Sequence, residues 1–292
     1  MRSSNPVFSR RGFSRDNGYA GFNAQQPQAG GPAAGTTPYA TNPYATNPYA
    51  QDAQLGAPTQ APVRAGAMTI DDVVSRTAMT LGTVFVTAAL AWFLLPVDPE
   101  NLNKSYGIGI GAALVAFAFA MIQSFKRKAS PALILLYAAF EGVFLGVISN
   151  AVSTYVSPGV VPQAVLGTMA VFAGVLIAYK MRWIRVTRRF YGFVMAAALG
   201  FILLMAVNAL FALFGGGDGL GFRSGGLGIL FGVIGIILGA CFLALDFKQV
   251  EDGIAYGAPR EESWLAAFGL TMTLVWIYLE FLRLLSILQG DD

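Results

Sequence analysis

The sequence predicts an all-α fold, a polytopic membrane bundle of about seven transmembrane helices behind a disordered N-terminal tail. Three observations predict it. Hydrophobic residues make up 55% of the chain and charged residues only 12%, against about 25% charged residues in an ordinary soluble domain. The apolar residues are gathered into runs between 76 and 288, whereas 1–67 contains almost none. Each run has the length of about 20 residues that an α-helix needs to cross roughly 30 Å of hydrocarbon.

Taken in order, residues 1–67 are assigned to a disordered tail. Arg2, Arg10, Arg11 and Arg15 open it, but no apolar core of signal-peptide length follows, so the first span is expected to do the targeting. Between Pro38 and Ala50 the text reads PYATNPYATNPYA, a repeat with too little apolar area to offset its ordering entropy. It is expected to serve as a plain tether, with docking of a partner or Tyr modification at the Pro-Tyr repeats as the alternative. The spans follow at about 77–95, 106–125, 132–155, 161–179, 190–214, 226–246 and 264–288. Trp92, Trp183, Trp264, Tyr106, Tyr155 and Tyr191 fall near their ends, as an interfacial aromatic belt requires. The absence of polar/apolar alternation argues against strands.

Loop charge sets the orientation. The turn after span two holds Lys126, Arg127 and Lys128, and the turn after span four holds Lys180, Arg182, Arg185, Arg188 and Arg189, while the opposite loops hold only Lys104 and Arg223. By the positive-inside rule the tail is expected in the cytoplasm. Odd parity then puts Asp291 and Asp292 outside, unless the last span is re-entrant. The net charge of +3 does not imply a nucleic-acid partner, because the basic residues lie between apolar runs rather than on one soluble face. The lipid bilayer is the expected partner.

Chemistry is bounded by what is missing. The chain has no histidine and one cysteine, Cys241, so histidine-based triads, histidine–zinc sites and internal disulfides are excluded. No Walker-type loop appears, and Gly107-Ile108-Gly109-Ile110-Gly111 lies in an apolar run with no preceding strand, so it is no dinucleotide fingerprint. No catalytic residue and no cofactor is assigned. An ionisable group at mid-membrane costs about 3 kcal/mol or more, so each is a functional candidate. There are four: Glu141 in span three, Asp246 closing span six, and Glu280 with Arg283 in span seven. A local pair at i, i+3 is the plain alternative for the last two. A helix-end position is the plain alternative for Asp246, and a structural hydrogen bond for Glu141. Glycines four apart at Gly142/Gly146, Gly228/Gly232 and Gly235/Gly239 are expected to let helices approach closely.

With these residues placed, the chain over roughly 68–290 resembles the Bax inhibitor-1-like membrane proteins, in an actinobacterial form. The segments that carry the resemblance are Phe140-Glu141-Gly142 with Leu145-Gly146, Asp246-Phe247-Lys248-Gln249, and Tyr278-Leu279-Glu280-Phe281-Leu282-Arg283. It implies six helices around a central seventh, a bacterial inner (plasma) membrane location, and a pH-sensitive calcium leak governed by acidic residues in the sixth and seventh helices. Those match Asp246 and Glu280, which would meet the calcium ion, with Arg283 as a possible latch partner. The chain departs from the pattern in having Glu for the second Asp, about ten additional residues between the two acids, and no basic residue in the first three assigned spans.

With Asp246 closing its helix, at 1.5 Å per residue the two acids would differ in height by around 20 Å. They meet only if helix six runs on toward Gly253 or Gly257, or if helix seven tilts or re-enters. Otherwise Glu141 and Asp246 are the expected neighbours. The leading expectation is therefore a cation leak gated by a carboxylate pair that shares a proton. The alternative is a regulatory membrane protein that binds a partner such as a membrane protease. An intramembrane enzyme comes last.

Overall fold

The structure, a computed structural model, describes residues 66–126, 128–215, 219–222 and 224–290. The tail up to residue 65, Arg127, Arg223, Asp291 and Asp292 lie outside the described residues. Seven helices, each long and apolar enough to cross a membrane, follow one another: α1 (Ile70–Leu94), α2 (Leu102–Phe125), α3 (Pro131–Tyr155), α4 (Val160–Lys180), α5 (Arg188–Gly215), α6 (Gly225–Ala255) and α7 (Ser263–Gly290). A 3₁₀ turn, Arg260–Glu262, precedes α7. Among the described residues there is no strand beyond one isolated bridge. The all-α, seven-helix multi-pass expectation is met.

Two helix ends differ from the sequence reading by about two turns. Helix α1 starts at Ile70 rather than 77, because Thr69 and Asp72 form a reciprocal capping box. The Thr69 hydroxyl accepts from the Asp72 amide at 3.2 Å and the Asp72 carboxylate accepts from the Thr69 amide at 3.3 Å, which satisfies backbone donors that a helix start otherwise leaves open. This draws Arg76 into α1. Helix α6 runs on to Ala255, so Asp246 does not close it. Gly66 and Ala67, read from the sequence as tail, take part in the bridge to the α6–α7 turn.

Helix α7 is the hub. It packs on α1, α3, α4 and α6, and more of it is buried than of any other helix. Its face bearing Phe268 and Val275 meets Tyr137, Ala138 and Leu145 of α3 and Val84 of α1. Its Ile277 lies with Leu243 and Ala244 of α6 and Val175 of α4. Leu282 lies with Val160 and Ala164 of α4. The outer helices are less embraced: α2 leans chiefly on α3 and α5 chiefly on α6. Their exposed Phe117, Phe125, Phe193 and Phe214 suit lipid, which is as apolar as they are, so packing shape rather than water exclusion holds the helices together.

Polar side chains fix the turns. Gln123, buried at the end of α2, donates to the Lys128 carbonyl at 3.2 Å and accepts from the Ser130 amide at 3.0 Å, closing the turn into α3, where Pro131 takes a first-turn position that needs no N–H. At the other end Asn150 donates to the Trp92 carbonyl at 3.1 Å, and Tyr155 donates to the Val97 carbonyl. The end carrying Lys126, Lys180, Arg182 and Arg185 is called the basic end below.

Candidate functional site

The candidate site is the seam between α6 and α7. Small residues on α6 make it. Gly232, Gly235 and Gly239 face Leu284, Glu280 and Ile277 in turn. A Cβ at Gly235 would stand 2.8 Å from Cδ and Oε2 of Glu280, closer than nonbonded carbon tolerates, so only glycine lets this carboxylate lie against the α6 backbone. Gly142 of α3 plays the same part against α1, where a Cβ would run into the Thr87 hydroxyl and the Val84 carbonyl. The expected packing role of the glycine pairs is what these positions show.

Glu280 is 7% exposed and pairs with Arg283 one turn along α7. The i, i+3 pair read from the sequence is therefore present, and it is buried at the seam rather than solvated. Next to it the Arg283 guanidinium runs beside Gly232. Asp246 lies further toward the basic end on the same seam. Its Oδ2 accepts from the Thr273 hydroxyl at 2.7 Å, and Gly269 leaves it room, since a Cβ there would come within 3.3 Å of Oδ1.

The seam does not bring Asp246 and Glu280 together. Asp246 stands opposite Gly269 and Thr273, Glu280 opposite Gly235. Seven residues from 273 to 280 along α7, or eleven from 235 to 246 along α6, give a separation in height of roughly 10 to 16 Å. The expectations that they share a proton, and that they jointly ligate calcium, are corrected accordingly. Extension of α6 past Asp246 removes part of the predicted offset but not all of it, because each carboxylate is fixed by its own neighbour. Among the described residues no three Asp, Glu, His or Cys side chains gather as a metal site.

Glu141 is half-buried on α3, one turn from Tyr137, whose ring meets Phe268 edge-on at 5.1 Å. It makes no hydrogen bond or ion pair with the described residues. Its height matches that of Asp246, since α3 meets α7 at Phe268 and Val275 there. The two acids are nevertheless on different sides of α7. Residues 273 and 275 are about 200° apart around an α-helix, so the Thr273 face that meets Asp246 points away from the Val275 face that meets α3.

Sequence reasoning missed four contributors. Thr273 supplies the hydrogen bond that holds Asp246, and Thr80 of α1 with Thr271 of α7, both buried, meet at 2.7 Å on the neighbouring face. Nothing in their spacing distinguishes these threonines from ordinary small residues in a span. Arg76 was legible: Thr69-Ile70-Asp71-Asp72 is a capping-box signature, and reading it would have placed a basic residue inside the first helix. Its guanidinium donates to the Arg260 carbonyl and the Ser263 hydroxyl and lies 5.3 Å from the Trp264 ring centroid.

Comparison with curated proteins finds no match. A family model described as Bax inhibitor 1 like matches residues 5–290, which takes in all seven helices and both carboxylates of the seam. On that match, and with a bundle built around its last helix, the chain belongs to the Bax inhibitor 1-like family.

Proposed function

We propose that the protein is a pH-sensitive leak for cations of the calcium class, gated by the intramembrane carboxylates Asp246 and Glu280 on the α6–α7 seam, with Glu141 on the far side of α7 as an accessory acid. The observation that supports this best is the placement of Glu280. A carboxylate so deep in a membrane protein carries a cost of about 3 kcal/mol or more, and a Leu would fill the same volume without it. Glycine at 235 is what admits it to the seam. Carboxylate oxygens are hard ligands suited to calcium. Two acids spaced along one seam, rather than clustered, offer single weak stations that a cation enters and leaves, as conduction requires. Calcium enters this reading as cargo, and no residue in it is catalytic.

Protonation supplies the gate. A neutral Glu280 loses its charge pairing with Arg283, and the packing of α7 on α6 shifts with that loss. The excess of basic residues in the loops after α2 and α4 supports a bacterial inner membrane topology in which the basic end and the N-terminus are cytoplasmic.

Calcium flux into liposomes holding the purified full chain, measured from about pH 5 to 8, tests the reading. A pH-dependent transition is expected, displaced or abolished in both Asp246→Asn and Glu280→Gln. If both variants keep the wild-type profile while Glu141→Gln shifts it, the acids are misassigned. If the wild type passes no calcium at any pH, the leak reading falls and the alternative of a regulatory protein that binds a membrane partner replaces it.

A further inference from the structure

Asp246 and Glu280 occupy the middle of the seam, and a different piece of chain closes its basic end. The residues just before α1 cross the turn that joins α6 to α7. The Met68 amide donates to the Ala258 carbonyl at 2.8 Å and the Arg260 amide donates to the Gly66 carbonyl at 2.8 Å, which pairs Ala67 with Pro259 in an antiparallel bridge. Arg260 Nε donates to Asp72 at 2.7 Å, and Arg76 grips the Arg260 carbonyl and Ser263 from the next turn of α1.

Under this bridge the Met68 side chain is 4% exposed, in one cluster with Val250, Ala266 and Leu270 and with Ile254 and Ala258 packed around it. Its Sδ lies 3.4 Å from where a Cβ on Gly253 would stand. Gly253 is seven residues past Asp246, two helical turns along the same face and about 10 Å nearer the basic end. Met68 therefore stands in line with the contact between Asp246 and Thr273, between it and solvent at that end. What holds it there is local: the burial of the Met68 side chain, one isolated bridge, the Thr69–Asp72 cap, an ion pair whose Arg260 side chain is 64% exposed, and the Arg76 contacts. Segments held by so few bonds open locally without global unfolding, and an exposed ion pair adds little.

We propose that Gly66–Thr69 is a strap and Met68 a plug that together close the basic end of the α6–α7 seam, and that release of the strap opens Asp246 to solvent on that side. The inference rests on the reading of Asp246 as part of a cation path and adds to it the gate, its position and its mode of release.

The test uses the full chain with Cys241→Ser and Thr273→Cys, so that the reporter thiol sits beside Asp246. The rate of labelling by a small cationic methanethiosulfonate reads how often the basic end opens. Met68→Ala is expected to speed labelling roughly tenfold, equivalent to about 1.4 kcal/mol in the opening equilibrium. Met68→Leu, which keeps the volume, should label near the parent rate. Asp72→Asn loosens both the Arg260 tie and the cap on Thr69 without making a cavity and should move labelling the same way as Met68→Ala. Labelling that is unchanged in both Met68→Ala and Asp72→Asn overturns the strap.

In a second arm Ala67→Cys with Pro259→Cys, in the Cys241→Ser background, locks the bridge. A pair flanked by the hydrogen bonds seen here has Cα atoms about 4.5 Å apart, within disulfide reach. Calcium flux should fall on oxidation and recover on reduction; measurable flux that is equal in the two states, with the disulfide verified, also overturns the proposal. The two readings fail separately. Strap-dependent labelling with no flux in any variant sinks the leak and keeps the strap, and flux with strap-independent labelling does the reverse.

Discussion

Gly235→Ala is the substitution that most directly probes the seam. The new methyl carbon would lie 2.8 Å from Cδ and Oε2 of Glu280 and 3.1 Å from its Cγ, short of ordinary contact between nonbonded carbons by about half an ångström or more. A solvated glutamate would swing aside at no cost. Glu280 is buried and paired with Arg283, so relief requires either a shift of α6 from α7 or a strained carboxylate, and overpacking of this kind costs about 1 to 3 kcal/mol. Thermal unfolding in detergent should show a lower Tm for Gly235→Ala. Glu280→Asp draws the carboxylate back by one methylene while keeping a charge for Arg283, so the double variant should lose less than the sum of the two single changes, by about 1 kcal/mol. Gly174→Ala is the control: nothing lies within 4 Å of a Cβ there, and alanine in a helix interior should be neutral or stabilising by up to about 1 kcal/mol. A wild-type Tm for Gly235→Ala, or strict additivity with Glu280→Asp, would refute the argument that glycine at 235 exists to seat the carboxylate.

Two further outcomes are expected. A cysteine at Arg185 in the Cys241→Ser background should resist an impermeant thiol reagent added to intact cells, since the basic loop is assigned to the cytoplasm; ready labelling from outside inverts the topology. Removal of residues 1–65 should leave the Tm in detergent within a few degrees of the full chain, because the strap, the caps and all seven helices are retained; a large drop would mean that the tail contributes to the fold, and loss of a co-purifying membrane protein on truncation would assign it a docking role.

The sequence by itself determined the class and the count. Helices of spanning length must satisfy their backbone internally in lipid, so apolar runs of the right length bounded by Pro131, by the basic turns and by Gly-rich loops can be read one by one. The burial cost of charge likewise singled out Glu141, Asp246, Glu280 and Arg283 before any geometry was known, and the pair at i, i+3 followed from helical spacing alone. The start of α1 was also within reach through Thr69 and Asp72, and was missed because hydropathy rather than capping set the boundary.

Tertiary structure alone decided which of these residues meet. Helical register fixes height along one helix, but the depth of Asp246 relative to Glu280 depends on where α6 stops and how α7 returns, and the polar stretch from Lys248 to Gly253 permits either outcome. Asp246 meets Thr273, and Glu141 is screened from Asp246 by α7, because contacts between helices are set by rotation about each axis, a quantity that a nearly uniform apolar surface does not encode. The same holds for Met68. As a single methionine ahead of a helix it carries no signal, and only the fold lays it across the end of the seam.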